Sequence, residues 1–372
     1  MSMKKILSSI VCLLISTQLL GCFDYTEINK VTFATSIIFD IDEDGNTVIY
    51  LDCVRPYRTE KETSEKGKRL IFEGMGETAL DAIRSINIKS DNNLNFSQVR
   101  AYIFTEKVAK EGIDKYMNFI NNKQQLGLKP YMFVYYGKID KLVDIKNDEE
   151  EYLGLYLEQL ENVNKKNAKC ISANVNNYIT ENYTQNELST LGVLRLEQGV
   201  EQKKFNLVGG VVMRDNKFLQ RLEEEDTVML NLLTKSISNG TFQITNPKES
   251  SSLITLDILK SDVKTDLSLK DGKIILSKKI DLKISIGEIQ GKLNINSYTV
   301  NAIKKMAEEN INTKVISFFS DYKDKDIDML GVKNLLKQKD LNFNGGDVLK
   351  NTNLDLDVNV KIDGSSLVRD SL

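Results

Sequence analysis

The chain has 372 residues, with 53 acidic and 50 basic side chains and a formal net charge of −3. It contains no His, no Trp, three Pro and four Cys. The lack of His excludes a Ser-His-Asp triad, a Cys-His dyad, a His-ligated zinc centre and an HExxH protease. A near-neutral balance argues against a dedicated nucleic-acid binder. A hydrophobic content of 41% with 28% charged residues is that of a folded globular protein, not a disordered or multi-span one.

The first segment reads as an address. Lys4 and Lys5 form a positive start, an apolar stretch follows over residues 6–15, and the segment ends in Leu19-Leu20-Gly21-Cys22. That layout is an export signal over residues 1–21, too short in its apolar run to span a bilayer comfortably. The ending resembles a bacterial lipobox, in which the signal is cut before a Cys that carries the lipid. The mature chain is then expected to begin at Cys22 and to be held to the membrane by its acyl chains. No later stretch is long and apolar enough to span. Cys53 and Cys170 are the remaining thiols of the mature chain, and they read as buried, unpaired side chains.

The mature chain opens with two strand-like runs, residues 31–40 (VTFATSIIFD) and 46–54 (NTVIYLDCV), around an Asp42-Glu43-Asp44-Gly45 hairpin turn. Residues 55–69 are charged and aperiodic and read as an exposed loop. A short strand over residues 70–72 precedes a helix over 77–88. Residues 98–105 (QVRAYIFT) form a strand. Residues 106–121 form one amphipathic helix with Ala109, Ile113, Tyr116, Met117 and Ile120 on one face. Residues 131–136 (YMFVYY) read as a buried strand. Alternating strands and helices suggest an α/β or α+β unit.

The acidic run 148–151 precedes a helical stripe of Tyr152, Leu153, Tyr156, Leu157 and Leu160. Residues 162–186 are polar and Asn-rich. A β-rich block begins at Phe205, and residues 223–233 read as a helix. Strand-like alternation runs from Gly240 to Gly291, with Asp271-Gly272 as a hairpin turn. The longest helix spans residues 298–319, with Ile303, Ala307, Ile311, Val315 and Phe318 on one face. A final strand over 353–362 (NLDLDVNVKI) has one wet face. The main boundary is placed at residues 197–204, dividing an N-terminal region, 22–200, expected to hold two subdomains, from a C-terminal region, 201–372.

Motif chemistry is sparse. Asp40, Asp42 and Asp44 match the first half of an EF-hand loop, but Leu51 stands where a bidentate Glu is required, so a solvated hairpin turn is the better reading. Asp324, Asp326 and Asp328 can form a cation site or, more simply, a polar loop and helix start. Gly209-Gly210 lies in a strand-like run, which points to tight packing or a bulge instead of a phosphate cradle. No GxGxxG, Walker A or GxSxG motif occurs. No catalytic residue, cofactor site or metal site is assigned, and the chain reads as an exported, lipid-anchored, non-catalytic α+β protein.

The lipobox followed by Cys22-Phe-Asp-Tyr-Thr-Glu-Ile28 resembles the mature start of the Ger(x)C lipoproteins of spore-forming Firmicutes. The likeness continues in order through residues 37–45, 98–105, 107–113, 207–217, 326–331 and 354–362. Phe23 replaces the family's usual Trp, and the family's Pro and Trp after the last helix are missing around residues 337–342. The resemblance implies a three-domain α+β protein of mixed and antiparallel sheets flanked by helices. It implies the C subunit of a GerA-type germinant receptor, needed for assembly or signal transmission in nutrient-triggered spore germination. Its implied place is the outer face of the spore inner membrane, anchored at Cys22 beside two membrane-embedded subunits of A and B type. The rival readings are a free-standing solute-binding lipoprotein and an exported hydrolase, which needs two convergent acids in a deep pocket.

Overall fold

A computed structural model describes residues 30–55, 68–145, 152–185, 187–198 and 203–363. The export signal, Cys22, most of the charged loop and the acidic run at 148–151 lie outside the described residues. Two β-sheets flanked by helices make up the molecule, in agreement with the expected α+β class.

The first sheet has ten strands. Its centre is parallel: β1 (Val31–Ile41), β5 (Ala101–Thr105), β6 (Tyr131–Tyr136) and β7 (Leu188–Gln198) lie side by side. Antiparallel strands extend both flanks. β2 (Thr47–Arg55) and β3 (Lys68–Gly76) continue from β1, while β9 (Gly210–Arg214) and β10 (Lys217–Leu222) continue from β7. Two short strands, β4 (Asn93–Asn95) and β8 (Lys203–Asn206), pair with β1 and β7. This sheet therefore takes strands from both sides of the expected boundary, β8 and β9 pairing with β7.

Parallel strands need crossovers, and helices supply them. α1 (Ala79–Lys89), α2 (Glu106–Glu111) and α3 (Asp114–Asn122) pack on one face, with α6 (Val175–Thr184). α4 (Ile139–Val143) and α5 (Leu153–Asn164) cover the other. Both faces of the central strands are thus apolar, as doubly covered parallel strands must be. Ile37 and Phe39 point to the first layer and Ile38 to the second. Gly154 lets α5 lie directly on β1, since a Cβ there would stand 1.9 Å from the Thr35 carbonyl oxygen.

The second sheet has the order β11 (Thr241–Asn246), β12 (Glu249–Lys270), β13 (Lys273–Ile289) and β14 (Thr352–Ile362). Asp271 and Gly272, with φ of 51° and 73°, form the expected tight turn between the two long strands. β14 joins β13 in parallel and exposes Asn353, Asp355, Asp357, Asn359 and Lys361 on its wet face. α8 (Ser297–Asp324) crosses this sheet. Asn296 caps it, and its five predicted apolar positions, Ile303 to Phe318, are all buried. α7 (Glu224–Thr234) and α9 (Val332–Gln338) complete the second layer.

Three expectations need correction. The single helix over 106–121 is two helices, because Gly112 (φ 118°) ends the first and the Ile113 amide then bonds to Asn216. The polar stretch 162–186 contains α6, whose start is capped by Asn174 and whose Val175 and Tyr178 enter the core. The strand at 70–72 spans nine residues, Lys68–Gly76. Gly209 and Gly210 do pack tightly, their missing Cβ atoms facing the Leu222 carbonyl at 2.7 Å and Ile171 Cγ1 at 2.5 Å. Cys53 and Cys170 are free, buried thiols in separate clusters.

Candidate functional site

The acidic motifs disperse in the fold. The buried Asp40 accepts from Thr105 Oγ1 at 2.6 Å, whereas Asp42 closes the hairpin by accepting from Asn46 N and Nδ2. Asp328 accepts from the Val332 and Lys333 amides, capping α9, and Asp326 faces Lys333 at 3.6 Å. Asp42 and Asp328 thus hold turns, while Asp40 lies within β1.

Polar chemistry concentrates elsewhere, in a cavity of about 450 Å³. One wall comes from the segment after α5, from α6 and from the start of β7, with Ser172, Glu181, Leu188, Ser189 and Thr190. The other comes from Val212 on β9, Leu230, Asn231 and Thr234 on α7, then Lys235 and Met329. Lys165 and Lys166 stand exposed at the rim.

Asn231 joins the two walls. Its Nδ2 donates to the Ala168 and Cys170 carbonyls at 2.7 and 2.9 Å. Those bonds fix which way the amide points, so its Oδ1 must face away from the 168–170 loop. That oxygen has no partner, although the residue is wholly buried. Such an orphaned group is uncommon and costly inside a fold. Ser189 Oγ is also buried, and it interacts with the Tyr178 side chain.

Three titratable groups act on one another here. Glu181 lines the cavity, and its Oε2 accepts from the Thr190 amide and hydroxyl at 3.0 and 3.1 Å. Burial pushes its carboxyl above the usual range, against the pull of Thr190 and Lys235. Burial pulls the Lys235 ammonium down, while Glu181 and Glu161 hold it up. Glu161 lies behind Ser172 at 1% exposure, and burial pushes it up to about 7 despite the Ser172 hydroxyl and Lys235. Neither Glu161 oxygen completes a hydrogen bond of normal geometry. Burial, with Glu161 adding to it, raises the neighbouring Cys170 thiol to about 12, so it stays protonated and unreactive at neutral pH.

A raised carboxyl pKa is a stability statement. Glu161 ionises less readily in the fold than in the unfolded chain, so its contribution is intact at low pH and is lost as pH rises through about 7. Glu161→Gln is therefore expected to leave stability unchanged near pH 4 and to raise it by about 2 kcal/mol at pH 8. Urea unfolding at the two pH values measures this. Equal stability of the two proteins at pH 8 would contradict the assignment.

The convergent acid pair required by a hydrolase is not what lines this cavity. Among the described residues Glu181 is its one acidic lining side chain, and Thr190 already occupies that carboxylate. Sequence reading missed the site, though two signals for it exist. Glu161 continues the four-residue register of Leu153 and Leu157 on the buried face of α5. Asn231 interrupts the apolar run of α7, whose residues Thr227 to Leu233 are all buried.

The walls of the cavity also correspond to two family segments. Residues 24–196 match the spore germination protein N-terminal domain. Residues 208–366 match the spore germination B3/GerAC-like C-terminal domain. Spore germination protein GerQC of Bacillus cereus is 21% identical over 327 residues, covering 88% of this chain and 89% of its own. Spore germination protein B3 of Bacillus subtilis (strain 168) is 22% identical over 302 residues, covering 80% and 78%. The crystal structure of the GerBC protein superposes with a TM-score of 0.55 at 14% identity, covering 88% of this chain and 97% of that one, which speaks to the fold. With both domain models matched in order along nearly its whole described length, the chain belongs to the GerAC-type spore germination protein family.

Proposed function

We propose that this chain acts in spore germination as the lipid-anchored C-type subunit of a germinant receptor. The observation that carries this reading is the ordered match of both germination domains over residues 24–196 and 208–366. The subunit is non-catalytic and works by assembly or signal transmission, through contacts with partners that differ between resting and triggered states. Its partners are the two membrane-embedded receptor subunits, of A and B type. Its place is the outer face of the spore inner membrane.

Anchoring rests on Cys22. Among the described residues no helix is long and apolar enough to cross a membrane. One acyl chain gives marginal attachment and two give stable attachment, so a diacylated Cys22 suffices to hold the protein. Cys22→Ala is expected to move the processed protein from the membrane to the soluble fraction and to block germination through the one receptor. Sporulation itself should proceed normally. Fractionation of spore membranes, followed by pull-down of the partners with tagged protein, tests both halves. A Cys22→Ala protein that still sediments with membranes and still supports germination would overturn the proposal. The rival solute-binding lipoprotein predicts instead an uptake defect with germination intact.

A further inference from the structure

We propose that the outer side of α1, flanked by Lys30 and Lys123, rests on an anionic phospholipid surface, with Ile88 entering the headgroup layer. This deepens the germination reading and rests on the anchoring of Cys22 for its direction.

The tether places this side. Lys30 follows Cys22 by eight positions, so the chain between them reaches at most about 29 Å. Lys30 is exposed just before β1, and it lines one surface hollow with Asn87 and Ser90 at the end of α1 and with Asn93 of β4. The lipid on Cys22 is thus held close to the end of α1.

What α1 presents there is apolar. Ile88 is 87% exposed, more than any other large apolar side chain among the described residues. A single exposed apolar residue is ordinary on a protein surface, and its position beside the tether is what matters here. It stands one turn from Arg84 and about two from Leu80, along one outward line of the helix, and Leu80 is also exposed. Between α1 and α3, Leu80 joins Ala79 and Phe119 in lining a groove of about 680 Å³.

The surrounding charge is basic. Lys115 and Lys123 border the groove, and Glu77 is its one acid among the lining residues. Lys123 Nζ stands 5.8 Å from the centres of both the Phe96 and Phe119 rings. Burial lowers the pKa of the Lys123 ammonium, and the nearby Arg84 lowers it further. Two adjacent cations of this kind call for an anion from outside. Lys30 and Lys89 add exposed cations at the end of α1, where Asp91 is already paired with Arg55 at 2.7 Å. Glu77 and Asp81 lie at the opposite end of the helix.

Cations around exposed apolar side chains match a bilayer surface, where anionic headgroups cover hydrocarbon. The tether brings that surface to this side whatever else the protein binds. The contact is weak by itself: the acyl chains hold the protein, and this face sets how it lies.

The chain has no Trp, so Ile88→Trp places a single reporter at the contact. Tyr298→Trp, on α8 and 80% exposed in the native chain, places one away from it. Both are made in the processed full chain with Cys22→Ala, which must bind without acyl chains. Phosphatidylglycerol vesicles at millimolar lipid should shift the Ile88→Trp emission to the blue, and chain-brominated phosphatidylglycerol should quench it. The Tyr298→Trp emission should stay as in water. Phosphatidylcholine vesicles, or high salt, should give no shift.

Arg84→Gln and Lys123→Gln should each weaken vesicle binding about fivefold. Ile88→Asp, followed by vesicle sedimentation, should weaken it at least about tenfold. Arg84 and Ile88 are exposed, so their replacement leaves the fold intact, and circular dichroism checks the half-buried Lys123. The inference is overturned if phosphatidylglycerol leaves the Ile88→Trp emission unchanged, if phosphatidylcholine shifts it equally, or if Tyr298→Trp responds as strongly. A blue shift that grows with protein concentration in the absence of lipid would assign the face to a second copy, and would also overturn it. The anchor is tested separately by spore-membrane fractionation, so the two readings fail by different measurements.

Discussion

Arg69→Met is expected to destabilise the protein by about 3–5 kcal/mol, because it strands a buried carboxylate. Asp52 is wholly buried, and its Oδ2 lies 2.6 Å from both Nε and Nη2 of Arg69. Its other oxygen accepts from Thr35 Oγ1 at 2.8 Å and from the Leu153 amide at 3.3 Å. Burial pushes the Asp52 carboxyl up even so, with Arg69, Thr35 and Leu153 pulling it back. Arg69 also donates to the Ile145 carbonyl beyond α4. One guanidinium therefore fastens β2, β3, the end of α4 and the start of α5 at one point. Urea unfolding measures the cost, and a loss under about 1 kcal/mol would contradict the arrangement. A double variant, Asp52→Leu with Arg69→Met, should recover part of the loss, since a buried pair replaced by apolar groups is often neutral.

Phe39→Ala should cost a similar amount, about 3–5 kcal/mol, by opening a cavity at the centre of the first sheet. Phe39 is fully buried in β1. Its ring stacks on Phe104 at 5.1 Å and 12°, and tilts against Tyr116 at 4.8 Å. The removed ring thus takes with it aromatic contacts to β5 and α3 as well as its own burial. The neighbours cannot collapse into the space, because Phe104 is held in a five-residue buried strand and Tyr116 in α3. Thermal unfolding followed by near-ultraviolet circular dichroism should show a lower midpoint and a weakened aromatic signal. An unchanged midpoint would mean that the ring cluster is not the centre of this core. Phe39→Leu, which keeps most of the volume, should cost markedly less.

Local pattern was enough for much of the chain. β6 occupies its expected residues, because a continuous apolar run bounded by breakers permits little else. α8 shows the same economy, with five apolar residues at helical spacing and an Asn cap ahead of them. The two hairpin turns were legible because Asp-Gly chemistry and positive φ go together. Family membership was legible from the order of weak motifs, none of which identifies the chain alone.

Other features needed the tertiary structure. α6 is rich in Asn and Thr, so its propensity is poor, and it forms because Val175 and Tyr178 find a core to enter. Gly112 broke an otherwise regular stripe, since the backbone of Asn216, about a hundred residues on, accepts the Ile113 amide at the break. β9 returns to pair with β7, a pairing between strands that no local period encodes.

The cavity is the clearest case. Sequence alone determined that the chain has no histidine and no local catalytic motif, and it marked Cys22 as the expected anchor. It also set which helix faces turn inward, because apolar spacing follows from helical geometry. Only the tertiary structure decided that Glu161, Glu181, Asn231 and Lys235 act on one site, since they come from three helices and a turn up to 74 residues apart. Burial then altered what those side chains can do. An exposed glutamate on α5 would be unremarkable, whereas at 1% exposure its carboxyl titrates at about 7.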